Sequence, residues 1–354
     1  LNHWAFWGGT IVVLVTLWEA FETMILPRAI MRPGRVTHVF YRSTHWLKRA
    51  VVRRTPGRKL RETILAVYGP LSLLILVGLW ATLIIVGFGL IHHGLGTHFK
   101  ETGEPLTLGN LIYFSGSTFF TLGYGDLTPQ GTVARGLAVL EAGLGFGMLA
   151  AVMGYLPVLY QAFSNREASI LRLANRCGGK IDGVGLIVRY ARNGNYEGLA
   201  TTLEDFESWI SELLETTVSY PMIAFYRSQR EDRSWIGGLT AVLDATTIIQ
   251  LPAATPWPPR LVDQAELTFS MAHRAVQALA RALHQRPDIT QRRDFDIEAL
   301  TARLARSGIE LGENAEDRFH DLTRRYEPEV ACLADFLTLD LPPWPIKESS
   351  GGKP

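Results

Sequence analysis

Cysteine is scarce in this chain: Cys177 and Cys332 are the two among 354 residues. Two thiols so far apart give neither a metal-ligand spacing nor a disulfide framework. A dinucleotide fingerprint is also lacking, because Gly178-Gly179 and Gly183-Val184-Gly185 have neither the Gly-x-Gly-x-x-Gly spacing nor its flanks. No nucleophile, base and oxyanion grouping stands out, and the run of strands that a cyclic-nucleotide-binding roll requires is missing. An enzyme is therefore not expected, nor a bound cofactor, nor a nucleic-acid partner.

Charge is absent from three long stretches. Residues 1–18 carry no Asp, Glu, Lys or Arg, Leu71 to Ile91 is a run of twenty-one uncharged residues, and Val133 to Phe163 contains only Arg135 and Glu141. Each is long enough for a helix through hydrocarbon. The first lacks the basic start and small-residue end of a signal peptide, so it is predicted as a transmembrane helix within 1–26. The chain begins with Leu and not Met, which leaves open a missing upstream segment. Hydrophobic residues make up 47% of the chain and mean hydropathy is +0.10, in keeping with a membrane protein of two or three domains. No span has regularly spaced arginines, so a voltage sensor is not expected.

Acidic residues are missing from Pro27 to Arg61, which holds eleven Lys or Arg, while the loop from His92 to Asn110 has one Lys and two Glu. Positive-inside bias places the basic segment in the cytoplasm, the N-terminus outside and everything after the third span in the cytosol. An integral plasma-membrane protein is the expected location. Val36, Val39, Phe40, Trp46, Leu47, Ala50 and Val51 recur at near-helical spacing among basic residues. The segment is either an interfacial helix, with anionic lipids as partners at 28–61, or a solvated basic loop. Glu19 and Glu22, near the inner end of the first span, are expected to face basic groups.

Between the second and third spans stands Thr121-Leu122-Gly123-Tyr124-Gly125-Asp126. A cation leaving water needs replacement oxygens, and a row of backbone carbonyls pointing one way supplies them. Such a row requires φ/ψ that alternate between right- and left-handed regions, and Gly123 and Gly125, two apart, permit this at little cost. Upstream, Thr107 is a candidate N-cap for a helix over 108–120. Its C-terminal end turns the negative end of the helix dipole toward a cation beneath the row.

The hexad, with Tyr113-Phe114-Ser115-Gly116-Ser117-Thr118-Phe119-Phe120 before it and Leu127, Thr128 and Pro129 after it, resembles the potassium channel family of the two-transmembrane, pore-loop type. The resemblance covers residues 65 to 163. It implies an all-α membrane protein with a pore-loop tetrameric cation channel fold, extended here by one N-terminal span and an all-α cytosolic domain. The carbonyls of Thr121, Leu122, Gly123 and Tyr124 become the K+ ligands, with Gly125 completing the filter. Because one chain carries one filter repeat, a homotetramer is implied. The implied order is an N-terminal helix (1–26), a basic linker (27–64), an outer helix (65–92), a pore helix (108–120), a filter (121–126), an inner helix (132–163), a helical cytosolic domain (164–346) and a disordered tail (347–354).

The chain departs from the family twice. Phe120 replaces the usual Thr before Thr121, and Ser117 stands where some relatives place a Glu that pairs with the aspartate after the filter. Asp126, at the outer mouth, must be held by other groups, Tyr113 among them, or by water. Glu141 is the only acidic residue in the inner helix, and it either supports the pore helix or sits as an interfacial carboxylate. Gly136, Gly143, Gly145, Gly147 and Gly154 serve close packing or bending. Gly145, twenty residues after Gly125, and Pro157 are the candidate gating hinges.

After Ser164 the periodicity is helical. One stripe is Leu203, Phe206, Ile210, Leu213 and Leu214, and another Val262, Leu267, Phe269, Ala272, Val276, Leu279 and Leu283, with a proline-rich break from Leu251 to Pro259 between them. Ile297, Leu300 and Leu304, then Phe319, Leu322 and Tyr326, begin two more. His273, His284 and His320 are expected as exposed helix residues. The sequence thus predicts a potassium-selective channel with a regulatory helical domain whose ligand is open. The competing readings are a weakly selective cation channel and a membrane-anchored scaffold or sensor that binds a partner.

Overall fold

The computed structural model describes residues 2–26, 36–100, 106–228 and 233–345. Residues 27–35 of the basic segment and the tail at 347–354 lie outside the described residues. The chain divides into two units, Leu1–Gln161 and Ala162–Pro354.

The first unit starts with α1 (His3–Met24), whose N-cap Asn2 accepts the amide of Ala5 through its side chain. Its 22 residues, at about 1.5 Å each, match the thickness of hydrocarbon. It is followed by α2 (Val36–Arg54), α3 (Arg58–Leu95), α4 (Leu108–Phe119) and α5 (Thr132–Arg176), whose residues from Ala162 onward belong to the second unit. Among the described residues α1, α3 and α5 are long and apolar enough to cross a membrane.

Gly9 sets the seam between α1 and α3. A Cβ there would stand 2.4 Å from the Gly87 carbonyl oxygen, and one on Gly87 would meet Val13 at 2.6 Å. Only glycine allows the two backbones so close, the device by which membrane helices pack without a hydrophobic driving force. Val13, Ala81, Ile84, Phe88, Ile91 and Phe119 form the buried cluster around this contact. Across α2, Thr37, Tyr41 and Lys48 are buried. Glu19 of α1 caps the start of α2 by accepting from the Thr37 amide at 3.2 Å and its hydroxyl at 2.7 Å.

The helices outrun their uncharged stretches. The outer helix, predicted over 65–92, runs from Arg58 to Leu95, so it takes in the last residues assigned to the basic linker. It stops at Gly96, whose left-handed φ of 57° lets its amide bond the carbonyls of His92 and His93. The inner helix, predicted over 132–163, continues to Arg176 and passes both Gly145 and Pro157 without interruption. Loss of hydrophobicity near residue 163 marks a change of surroundings. The residues that follow include three Arg with Ala and Leu, good helix formers, so the helix itself goes on.

The second unit is helical too: α6 (Gly183–Ala191), α7 (Tyr196–Ser219), a 3-10 turn (Pro221–Phe225), α8 (Trp235–Ile249), α9 (Pro259–Ala282), α10 (Ile297–Ala305), α11 (Ala315–Thr323) and α12 (Glu327–Leu337). No strand occurs among the described residues, which carry two isolated bridges, Phe99 with Pro129 and Ala253 with Leu311. All fifteen residues of α8 are buried, and α6, α7, α9, α11 and α12 pack around it. On α9 the buried face is Leu261, Ala265, Thr268, Phe269, Ala272, Val276 and Leu279. Leu267, placed in that stripe from the sequence, lies off it and is 59% exposed. Leu214 is half-buried beside the buried Leu203, Phe206, Ile210 and Leu213.

Arg293 locks the second unit's core. Its Nε donates to Glu327 Oε1 at 3.0 Å, Nη1 to Asp244 Oδ2 at 2.9 Å and to the Pro342 carbonyl at 2.7 Å, and Nη2 to Asp244 Oδ1 and Glu327 Oε1 at 2.6 Å each. All five guanidinium hydrogens are thereby used, which is what permits a buried charge. Tyr326 donates to Asp244 and Trp344 to Glu327, so α8, α12 and the segment after α12 meet at one cation.

Candidate functional site

The site is built on α4. Thr107 caps it reciprocally: its hydroxyl accepts the Asn110 amide at 3.3 Å, and its own amide donates to Asn110 Oδ1 at 3.0 Å. Leu111, Phe114, Ser115, Ser117 and Phe119 are buried against the flanking helices. At the far end, Phe120 N donates to Gly116 O at 3.0 Å, Thr121 N to Thr118 O at 3.0 Å and Leu122 N to Ser117 O at 2.8 Å. These bonds attach the first residues of the hexad directly to the last turn of the helix.

Beyond that turn, φ is +55° at Thr121, +59° at Gly123 and +78° at Gly125. Left-handed φ thus recurs at every second residue, with Leu122 and Tyr124 outside that region. Glycine adopts it freely, but Thr121 is β-branched, and such a residue at positive φ carries strain of about 1–3 kcal/mol. In the single chain the row is open: Leu122 is 55% and Tyr124 67% exposed.

Four contacts hold the row from behind and above. Tyr113 lies beside Asp126, close enough for the two side chains to interact. The Ser115 hydroxyl lies 2.8 Å from the Ile85 carbonyl of α3 and within hydrogen-bond reach of Glu141 Oε1 on α5, so one hydroxyl joins three helices. Glu141 is fully buried there. Gly145 lies against the end of α4, where a Cβ would stand 1.9 Å from the Phe119 carbonyl oxygen. Above the row, Lys100 N donates to Thr128 O at 2.9 Å and Gln130 N to His98 O at 2.8 Å. Phe99, Leu111, Phe114 and Leu127 pack beneath this clasp.

The structure therefore brings Tyr113, Ser117, Glu141, Gly145 and the residues from Thr121 to Asp126 into one assembly, with Pro157 a farther twelve residues along α5. Ser115, and the clasp of His98 and Lys100 on Thr128 and Gln130, escape sequence reasoning. The only signal for them is an unpaired Glu141 in search of a partner and a lone Phe99 in a polar loop. No group of three or more His, Cys, Asp or Glu able to hold a metal ion is found among the described residues.

Residues 72–161 match a family model described as ion channel. That stretch is an ion-channel domain, α3 to α5 with the loop between them, and α1 is an additional span ahead of it. The chain is also 27% identical over 250 residues to the uncharacterized membrane protein YdjJ of Bacillus subtilis (strain 168), covering 67% of this chain and 71% of that one. No solved structure matches the chain.

Proposed function

We propose that the ion-channel domain conducts potassium selectively and passively, through a filter formed where four copies bring residues 121–125 around one axis. The observation that carries the reading is the left-handed φ at Thr121, Gly123 and Gly125. A backbone alternating in this way turns successive peptide planes so that its carbonyls line one side. The carbonyls of Thr121, Leu122, Gly123 and Tyr124 then replace the ion's water, and Gly125 completes the turn outward. The exposure of Leu122 and Tyr124 in one protomer suits a row whose remaining surroundings come from other copies.

The surrounding residues have distinct tasks in this reading. The last turn of α4 aims its carbonyl end below the row, where a dehydrated cation is favoured. Tyr113 holds Asp126 at the outer mouth, and Ser115 with Glu141 keeps α4 from sliding between α3 and α5. Basic residues after α1 and the uncharged spans support a plasma-membrane protein whose second unit is cytosolic. There it acts as the regulatory domain through the unbroken α5.

The test is Gly123→Ala in protein reconstituted into vesicles. A Cβ at φ +59° opposes the left-handed backbone. Potassium flux is expected to fall or to lose its preference over sodium, and unaltered selective flux would remove residue 123 from the filter.

A further inference from the structure

The described side chains of α2 separate into two faces. Thr37, Tyr41 and Lys48 are buried and Thr44 is half-buried, at spacings of four, three and four residues along one stripe. On the opposite stripe Val39 is 56% exposed, Ser43 is exposed and Trp46 is 72% exposed, and Arg54 is exposed beyond them.

The inner stripe fixes the depth at which α2 sits. Its first turn is bonded to Glu19, the first charged residue of α1 after eighteen uncharged positions. Its middle is bonded to Tyr68, where α3 turns apolar: Thr44 Oγ1 is 3.0 Å from the Tyr68 hydroxyl, and Lys48 Nζ lies 5.1 Å from the Tyr68 ring centre. Both anchors mark the boundary where hydrocarbon gives way to water. One span ends before α2 and the next begins after it, so both anchors belong to the same leaflet.

We infer that the outward stripe of α2 seats in the bilayer interface and binds a leaflet rich in anionic lipid. An exposed indole with Val39 on one stripe, at that depth, suits the zone where Trp is enriched. Besides the buried Lys48, ten Lys or Arg without one acidic residue between Pro27 and Arg61 supply the charge that complements anionic headgroups. The inference needs α1 and α3 to span, and it is independent of what the pore conducts.

The test uses full-length protein with Cys177→Ser, Cys332→Ser and Ser43→Cys, spin-labelled at position 43. It is reconstituted in phosphatidylcholine vesicles with or without phosphatidylglycerol. With the anionic lipid, label collisions with oxygen are expected to exceed those with a water-soluble nickel chelate, and the excess should shrink in pure phosphatidylcholine. Adding Val39→Ser and Trp46→Ser should reverse the preference while leaving the far-ultraviolet circular dichroism unchanged. A label dominated by the chelate in both vesicles would overturn the proposal, as would one shielded from both reagents by protein contact. Equal oxygen preference in both vesicles would overturn its anionic part.

Discussion

Gly145 presses α5 against the last turn of α4: a Cβ at this position would lie 1.9 Å from the Phe119 carbonyl oxygen. The clash is with backbone and not with a flexible side-chain tip, so Gly145→Ala must shift either α5 or the turn that carries Thr121. Overpacking of this kind costs about 1–3 kcal/mol or more. Ion flux in vesicles is expected to fall by about tenfold or more, the equivalent of 1.4 kcal/mol. Gly8→Ala, where nothing lies within 4 Å of the added carbon, should leave it unchanged.

Glu141 and Ser115 provide a second handle on the same turn. Glu141→Gln keeps a group that can bond the Ser115 hydroxyl. Ser115→Ala leaves the buried Glu141 Oε1 unpaired, at about 1–3 kcal/mol, whereas Glu141→Ala leaves the Ser115 hydroxyl its bond to the Ile85 carbonyl and opens a cavity instead. The glutamine variant is expected to conduct and to melt as the parent does, and the two alanine variants to lose thermal stability. Because the residues share one bond, the double alanine variant should cost less than the sum of the singles.

The seam between α1 and α3 is open to a steric test. Gly9→Leu forces a branched side chain into a gap where even a Cβ meets the Gly87 carbonyl oxygen at 2.4 Å. Destabilisation of about 1–3 kcal/mol or more is expected, read as a lower midpoint in a detergent melt. Trp4→Leu, at a residue 91% exposed, should leave the midpoint in place.

Arg293 in the second unit makes the most severe prediction. Arg293→Met leaves Asp244 and Glu327 buried without their cation, and removing one partner of such a cluster costs about 3–5 kcal/mol. Arg293→Lys offers three hydrogens in place of five and is expected to restore only part of the loss. Denaturant unfolding followed by tryptophan fluorescence measures both.

Cys177 gives a pH dependence. Burial pushes its thiol up to about 11, with the nearby Asp182 acting in both directions and Arg189 lowering it. The thiolate is therefore scarce at neutral pH and grows as pH rises toward that value. Alkylation at Cys177, followed by mass spectrometry of the digested protein, should accelerate about tenfold for each pH unit between 7 and 10.

Much of the membrane architecture is legible because uncharged stretches announce spans, and the all-helical class follows from periodicity in the rest. Helix ends are less legible: Arg58–Ile64 and Asn165–Arg176 are polar yet helical, and hydrophobicity reports surroundings and not backbone. The sequence stripes pass over α8 because a helix buried on every side has no polar face to set a period. Leu267 has the spacing of a core residue but lies off the face that α9 buries. Within the candidate site, Gly123 and Gly125 advertise their backbone by residue type. Thr121, at φ +55°, does not, since only its attachment to α4 holds it there. The Ser115 to Glu141 bond joins residues 26 apart in sequence, and nothing local to either encodes it.

The central claim is selective potassium passage, and the reversal potential of the purified protein in a planar bilayer with potassium on one side and sodium on the other tests it most directly. The account predicts a reversal potential far from zero, of the sign that potassium outflow from its own side requires, and its loss in Gly123→Ala. A reversal potential at zero in the parent protein, with current flowing equally in both ions, would contradict it.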